Sequence, residues 1–394
     1  MSYLEKLLEG VTVQWKPLNE VVSTITAPVK LNKNTYGEIG KIPVIDQGIT
    51  FIAGYTDEDF AAVEAGEYVI FGDHSEHIKY VNFSFIQGAD GLKILKSKGD
   101  RTKFIYYALV NFYRRENNYK RHWSSAKETL IPIPCPDNPK KSLEIQQKIV
   151  AILDSFTELT AELTAELTAE LTARKMQYSY YREKLYTFDK NKVQHLPMDD
   201  ESIGVFQRGK RFVKTDLISE GVPVIHYGEM YTHYGTWADK TKSFLSEELV
   251  KNKNLRVANK GDVVIVAAGE TIEDIGMGTA WLGDEGVVVH DACFSYKTTL
   301  NPKFVAYFTR TKQFHDQIKK HISSGKISAI NAKGLGKAII PVPSKEEQER
   351  VVSILDKFDI LTNSISEGLP QEIELRKKQY EYYRDLLLTF PKDN

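Results

Sequence analysis

The chain contains the same long helical sentence twice. Gln146 to Phe156 reads QQKIVAILDSF, and Gln348 to Phe358 reads QERVVSILDKF. Arg174 to Phe188 reads RKMQYSYYREKLYTF, and Arg376 to Phe390 reads RKKQYEYYRDLLLTF. Both pairs lie 202 positions apart, with six of 11 and ten of 15 residues identical. Upstream the match weakens but keeps its order. KFIYY at Lys103 pairs with KFVAY at Lys303, IPIP at Ile131 with IPVP at Ile340, and IPVIDQG at Ile42 with VPVIHYG at Val222, at offsets of 200, 209 and 180. Fixed offsets in the helical blocks and drifting ones upstream are what a duplicated domain with diverged loops leaves behind.

Each half therefore has one grammar. Short β-branched and aromatic runs come first: IPVI, EYVIFGD and FSFIQG in one half, VPVIHYG, DVVIVAAG and GVVVHD in the other. Gly, Asp and Asn punctuate them, so they predict strands. A Pro-rich exit, IPIPCPDNP or IIPVPS, cannot be helical. A long helix follows, apolar on one face at Ile149, Ile152, Leu153 and Phe156, and again at Ile354, Leu355 and Phe358. Ser344, followed by Glu346 and Glu347, predicts an N-cap with an acidic first turn. The expected fold is α+β: two strand-rich globular domains alternating with two long helices packed as a coiled-coil pair, in a pseudo-two-fold repeat. The expected boundaries are 1–143 and 191–345 for the globular domains, and 144–190 and 346–394 for the helices.

Inside the first helix, TAEL occurs three times from Thr160 to Leu171. Leu159, Leu163, Leu167 and Leu171 recur every four residues, so the stripe drifts by about 40° per repeat. Leu361, Ile365, Leu369 and Ile373 have the same spacing in the second half. Four apolar residues facing four predict an antiparallel or otherwise two-fold-related helix pair. Glu158, Glu162, Glu166 and Glu170 form a like-charge ladder that weakens an isolated helix, so the ladder should face water or a basic partner. The helix from Glu144 to Thr187 would span about 65 Å at about 1.5 Å per residue. Gly368 and Pro370 should kink or restart the second helix, with Pro370 in a first turn.

A short basic motif precedes each Pro-rich exit. YKRHWSSAK at Tyr119 matches IKKHISSGK at Ile318, offset 199. Two cations, a His, two hydroxyls and a third cation form a compact set of phosphate-contacting groups. The candidate DNA-binding residues are Arg114, Arg115, Lys120, Arg121, His122, Ser124, Ser125 and Lys127 in the first half. In the second they are Lys319, Lys320, His321, Ser323, Ser324 and Lys326. A third cluster, RGKRFVK, adds Arg208, Lys210 and Arg211. A charge run is commonly just a solvated face. Recurrence in two diverged halves favours nucleic acid, and balanced net charge (52 basic against 53 acidic residues) does not exclude it, because a footprint needs a local cluster.

Catalytic and metal signatures fail in turn. GVFQRGKR at Gly204 has Walker A spacing, but Arg211 stands where Ser or Thr should bind magnesium. Asn301-Pro302-Lys303-Phe304 only grazes an adenine-methylase motif. His74 and His77 lack further ligands at a recognisable spacing, so no metal is expected. Cys293, near His290 and Asp291, sits in a strand context that favours a buried thiol over a nucleophile. With only two cysteines, a disulfide scaffold is excluded. No apolar run reaches the roughly 20 residues of a membrane span, so a cytoplasmic location is expected.

Two variable strand-rich domains alternating with near-identical helices, each entered through IPIP or IPVP, then Gln, then IVAILD or VVSILD, resemble the specificity subunit of a type I restriction-modification system. The TAEL array resembles the IC subclass of that family. The resemblance covers essentially the whole chain. It implies two target recognition domains, each reading one half of a bipartite double-stranded DNA site across an unread gap. It also implies a non-catalytic chain with no cofactor of its own, recruiting two adenine-N6 methyltransferase subunits and two restriction/translocase subunits. S-adenosylmethionine, ATP and Mg would belong to those partners, and no membrane is involved. The alternative is a non-enzymatic adaptor with two protein-binding β domains on a coiled-coil strut.

Overall fold

A computed structural model describes residues 7–89, 91–325, 327–364 and 367–390. The chain divides into two compact units. One holds residues up to Glu166 together with those from Ile373 onward, and the other runs from Leu167 to Glu372.

In the first unit Val13–Pro17 pairs antiparallel with Leu130–Pro134, so the IPIP exit is the domain's return strand. Its prolines are tolerated because this ribbon has only two strands and each is an edge. Val22–Ile25, Leu92–Ser97, Tyr68–Gly72 and Ile78–Val81 form an antiparallel sheet in that order. Every residue of Tyr68–Gly72 is buried, as its continuous apolar run requires. Gly54–Thr56, Ile42–Ile45 and Ile86–Gln87 form a second sheet, whose last pair is parallel. Helix α1 (Thr102–Phe112) joins sheet to strut. Ile105, Ala108 and Leu109 pack with Val69, Phe71 and Leu95, while Phe104 and Tyr107 pack with Ile145, Ile149 and Leu153 of helix α2 (Pro139–Leu185).

Helix α2 begins at Pro139 rather than at the expected Glu144. Proline fits a first helical position, where its missing N–H loses no bond. Asn138 caps the turn: its side chain accepts the Lys141 amide at 3.1 Å and its carbonyl the Ser142 amide at 2.9 Å. The helix ends at Leu185 rather than 190, because Tyr186 turns inward and donates its hydroxyl to the Phe304 carbonyl at 2.5 Å.

The second unit repeats the plan. Gln194–Pro197 pairs with the return strand Ile339–Val342. Val222–Ile225 pairs parallel with Val287–Val289, as Ile42–Ile45 does with Ile86–Gln87. A five-stranded sheet runs Gly204–Arg208, Cys293–Thr298, Val263–Val266, Gly278–Trp281, Trp237–Ala238. All six runs read as strands in the sequence contain strands. Helix α3 (Pro302–Phe308) is the counterpart of α1, with Asn301 accepting the amides of Lys303 and Phe304, so the Asn-Pro motif is a helix cap. The second strut is two helices, α4 (Lys345–Asn363) and α5 (Gly368–Leu387), rather than one. Pro370 lies in the first turn of α5, and Ser344 caps α4 by accepting the Glu347 amide at 3.3 Å.

Each unit carries its own copy of one clamp. Asp154 accepts from Lys103 at 2.8 Å and Tyr107 at 2.7 Å; Asp356 accepts from Lys303 at 2.8 Å and Tyr307 at 2.7 Å. Gln146 accepts the Arg101 amide, and Gln348 the Asn301 amide, each at 2.8 Å. The helix pairs are also duplicated. In the first unit Phe156 stacks on Tyr383 (centroids 5.5 Å apart, 7° between planes) and Thr157 bonds the Tyr380 hydroxyl at 2.9 Å. Positions rise on α2 as they fall on α5, so this pair is antiparallel. In the second unit Phe358 stacks on Tyr181 at 5.6 Å and on Tyr178 at 5.9 Å. The apolar stripe is less deeply covered than these rings. Leu159 is 51% exposed, Leu163, Leu167, Leu171, Leu361 and Ile373 are half-buried, and Leu369 is buried. Ile365 lies outside the described residues. Glu158, Glu162, Glu166 and Glu170 are all exposed.

Removing either clamp carboxylate leaves a lysine and a tyrosine without their acceptor. Asp356→Ala should destabilise the protein by about 2 kcal/mol and the more exposed Asp154→Ala by about 1 kcal/mol. Urea unfolding of each variant checks both the size and the order.

Candidate nucleic-acid interface

In the first domain the basic loop is built on buried acid. Arg114, Arg115, Lys120, Arg121, Ser124 and Ser125 are exposed, and Lys127 is half-buried. Beneath them lies Glu76, 4% exposed, in a left-handed backbone conformation (φ 56°) that aims its carboxylate inward. It accepts from the Tyr113 hydroxyl (2.7 Å) and from the amides of Glu116 (2.7 Å) and Asn117 (2.9 Å). Asp73 receives the amide of Trp123 on its side chain and that of His122 on its carbonyl, both at 2.8 Å. Burial alone would raise the Glu76 carboxyl, but these donors and the nearby His122 hold it below the usual carboxylate range.

Several expected phosphate contacts are otherwise engaged. His122 is fully buried, with Nε2 2.9 Å from the Asn118 carbonyl, so it braces the loop instead of facing outward. Lys120 pairs with Glu116, and Ser125 donates to the same carboxylate at 2.7 Å. His74 stacks on Tyr119, which is 93% exposed, with centroids 5.7 Å apart. His74 and His77 are not joined by further ligands: among the described residues no group of three His, Cys, Asp or Glu is placed to hold a metal ion.

The matched motif of the second half does not occupy the matched place. In the first domain Leu18 and Asn19 donate to the carbonyls of Thr129 and Lys127; in the second, Met198 and Asp199 donate to Ala338 and Gly336. That register puts Lys127 opposite Gly336, and the short helix Trp123–Ala126 opposite Ala332–Gly336. The IKKHISSGK segment lies one turn and one bridge earlier. Lys319 and Lys320 are exposed on a 3-10 turn, His321 is half-buried and Ser324 is exposed. Ser323 bonds the Ala329 carbonyl at 2.9 Å, and Lys326 lies outside the described residues. The neighbouring Arg310 is turned inward, donating to the carbonyls of Gly235 and Gly278.

The third cluster is set against the end of a strand. Gly204–Arg208 is itself a strand, and a loop with a 3-10 turn follows, so the Walker A spacing has no phosphate loop behind it. A Cβ on Gly209 would lie 2.2 Å from the His290 carbonyl, so only glycine lets the segment approach. Arg208 donates to the Asp291 carbonyl at 3.0 Å; Arg211 is exposed and Lys210 half-buried. Cys293 is fully buried, and burial, with Asp291 adding, pushes its thiol up to about 12, far from a nucleophile at neutral pH.

Sequence reasoning missed four residues here. Lys30 and Lys33 occupy the first-domain counterpart of the third cluster, where the Leu31 amide donates to Gln87 as that of Lys210 does to Val289. Extending the offset of 180 upstream from IPVIDQG would have found them. His226 and Tyr227, at the strand end beside Arg211, lie in the repeated VPVIHYG run, whose pattern signals only a strand.

The sequence profile described as "Type I restriction modification DNA specificity domain" matches residues 11–173 and 201–375. The chain is 38% identical over 418 aligned positions to the Escherichia coli "Type I restriction enzyme EcoR124I/EcoR124II specificity subunit", covering 100% of this chain and 98% of that one. It is 35% identical to a putative type I restriction enzyme specificity subunit of Haemophilus influenzae, covering 99% and 98%. In structure it resembles a chain from work on complex assembly and conformational transition of the type I R-M system (TM-score 0.65, 15% identity, covering 95% and 97%). It also resembles the HsdS subunit of Thermoanaerobacter tengcongensis (TM-score 0.50, 15% identity, 95% of each chain).

Because the Glu76 carboxyl is held below its unfolded value, its support of the loop is fully present above that unfolded value and is lost as pH falls through the folded one. Glu76→Gln replaces one acceptor oxygen with a donor and should loosen the loop by about 1–3 kcal/mol. Hydrogen-exchange protection of the Glu116 and Asn117 amides, taken relative to their intrinsic rates at each pH, should fall at low pH in the native protein and be low and less pH-sensitive in the variant.

Proposed function

The chain belongs to the type I restriction-modification DNA specificity family, and we propose that its two globular halves each read one half of a bipartite site in double-stranded DNA. It is the DNA specificity subunit of a type I restriction-modification complex and is not itself the catalyst. The observation that carries the bipartite reading is the duplicated clamp. Lys103 and Tyr107 on Asp154, and Lys303 and Tyr307 on Asp356, give two domains the same seat on the helices while their loops differ. Two heads on one frame, with different faces, suit a site of two unlike halves separated by bases that are not read.

In this reading the exposed cations supply sequence-independent phosphate contact and the loops supply base readout. Two adenine-N6 methyltransferase subunits and two restriction/translocase subunits join the chain. S-adenosylmethionine, ATP and Mg belong to them, and the complex works in the cytoplasm. The TAEL array and the 38% identity to the Escherichia coli subunit support placement in the IC subclass. The adaptor reading stands against this one and requires a chain with no salt-sensitive DNA affinity.

Two measurements test the proposal. Each TAEL unit adds four residues to α2, about 6 Å of helix. Deleting or adding one unit should change the preferred gap by about one or two base pairs at about 3.4 Å each. Site selection on such variants reads this directly, and an unchanged gap refutes the ruler. Replacing Lys120 and Arg121, or Lys319 and Lys320, with Ala should weaken DNA binding across sequences and flatten its salt dependence. Unaltered affinity and slope would remove those residues from the footprint.

A further inference from the structure

In each domain two parallel strands end side by side. Val44 pairs with Ile86 and Ile45 with Gln87; Val224 pairs with Val288 and Ile225 with Val289. The residues just beyond are Asp46 and Gly88 in the first domain and His226 and His290 in the second. In the first domain Tyr36 and Lys79 pack against this place. The Tyr36 hydroxyl accepts the Ala89 amide at 2.7 Å, and a Cβ on Gly88 would lie 2.4 Å from it. The buried Lys79 donates to the carbonyls of Asp46 (2.8 Å) and Thr50 (2.6 Å). In the second domain the same place is a cavity of about 450 Å³, with Arg211, His226, Tyr227, Glu270 and His290 among its walls.

The hydrogen-bond pattern fixes what those walls can offer. The Nδ1 of His290 accepts the Ala292 amide at 3.1 Å, so its proton sits on Nε2, which donates to the Phe212 carbonyl at 3.0 Å. Both nitrogens are occupied, and the ring packs against His226 (4.8 Å), Phe212 (4.8 Å) and Tyr227 (5.1 Å). His290 is a positioning residue. The Nδ1 of His226 accepts the Gly228 amide at 3.2 Å, so its donor is Nε2–H. Burial first, and Lys214 after it, hold His226 below the ordinary histidine range against the opposing pull of Glu229, in keeping with a neutral ring at pH 7. The cavity wall therefore carries the His226 donor beside the guanidinium of the exposed Arg211, with Lys214, Tyr227 and Asp291 also on it. Glu270, also exposed, adds an acceptor.

A guanine shows two acceptors, N7 and O6, on its major-groove edge, and its partner cytosine shows the N4 amino donor; no other base pair has that order. We infer that Arg211 and His226 are specificity-determining residues that take the guanine edge of a G·C pair in the half-site read by the second domain, with Glu270 accepting from the cytosine. This inference rests on the reading of the chain as a DNA specificity subunit.

The test uses the full chain assembled with its methyltransferase subunits, selecting on a library of random duplex DNA. Arg211→Ala should relax the guanine preference at one position of the second half-site by roughly tenfold, within the range for a base-reading pair. His226→Asn should do the same, because asparagine keeps the acceptor for the Gly228 amide and removes the Nε2 donor. The other positions of the second half-site are the internal control for folding of that domain and should be unchanged in both variants, as should the first half-site. If both variants select the native second half-site as strongly as the unmodified chain, the inference is overturned and the specificity reading stands. If the unmodified complex selects no sequence in either half-site, the specificity reading falls and this inference falls with it.

Discussion

A carboxylate that accepts from a lysine and a tyrosine at once holds this architecture together, and the chain has two of them. Asp154 and Asp356 lie one helical repeat apart, and each is bonded at 2.7–2.8 Å to partners on its own domain's docking helix. A solvent-exposed pair such as Lys251 with Glu247, each about 80% exposed, is worth about 0–1 kcal/mol. The clamps differ in kind. One acceptor serves two donors, the tyrosines are buried, and Phe104 or Phe304 seals the adjoining core. Hydrogen bonds to fully buried charged groups are worth about 1.5–3 kcal/mol, and the part exposure of these ion pairs brings each clamp to about 1–2 kcal/mol. The orientation of each domain on its helix follows from these bonds and from the glutamine that accepts the amide of the residue just before the docking helix.

With the frame fixed in this way, the loops were free to diverge. The offsets of the frame stay constant at 202 along the helices, while those of the domains wander between 180 and 209. The same backbone bonds recur where the side chains do not. Leu18 and Met198 make equivalent contacts, yet the segments that follow carry different cations, rings and acids. A recognition protein needs this separation, since a change of reading head must not disturb its mounting.

Much of the frame was legible in the sequence because helical and strand periodicities are local. The Ser344 cap, the Pro370 restart and the strand runs depend on a few neighbouring residues each. The interface was less legible for a physical reason. HWSSAK and HISSGK match as strings, but the register of the return strand places one on a short helix and the other a turn and a bridge earlier. Register is set by long-range pairing, which a short motif does not encode. For the same reason His122 read as a phosphate contact, although the fold buries it under the loop it belongs to. The stacked pairs Phe156–Tyr383 and Phe358–Tyr181 went unremarked, although Tyr181 and Tyr383 are equivalent residues of the repeated YxYYR block. Leucine spacing drew attention to the middle of the helices, whereas the rings that touch lie nearer their ends.

The candidate DNA-contacting loops are held by buried polar groups, and the two domains use different ones. In the first, Asp73 and Glu76 receive backbone amides from the 113–123 loop, and Lys79 donates to the carbonyls of the 46–51 loop. In the second, a neutral His290 and a side-chain-free Gly209 fix the approach of the basic segment. A buried charge costs stability unless every donor facing it is satisfied. These groups therefore make sense only as parts of their loops, whose surface they order; in the proposed DNA-binding role that order lowers the entropy lost on binding. It follows that such a loop is not a portable string of exposed cations. Moved without Asp73 and Glu76, the Arg114–Lys127 segment loses the acceptors that shape it, and the acids left behind become unpaired charges in a core. The unit of exchange is the whole domain, its docking helix and return strand included, and the chain duplicates that domain together with the helix that follows it.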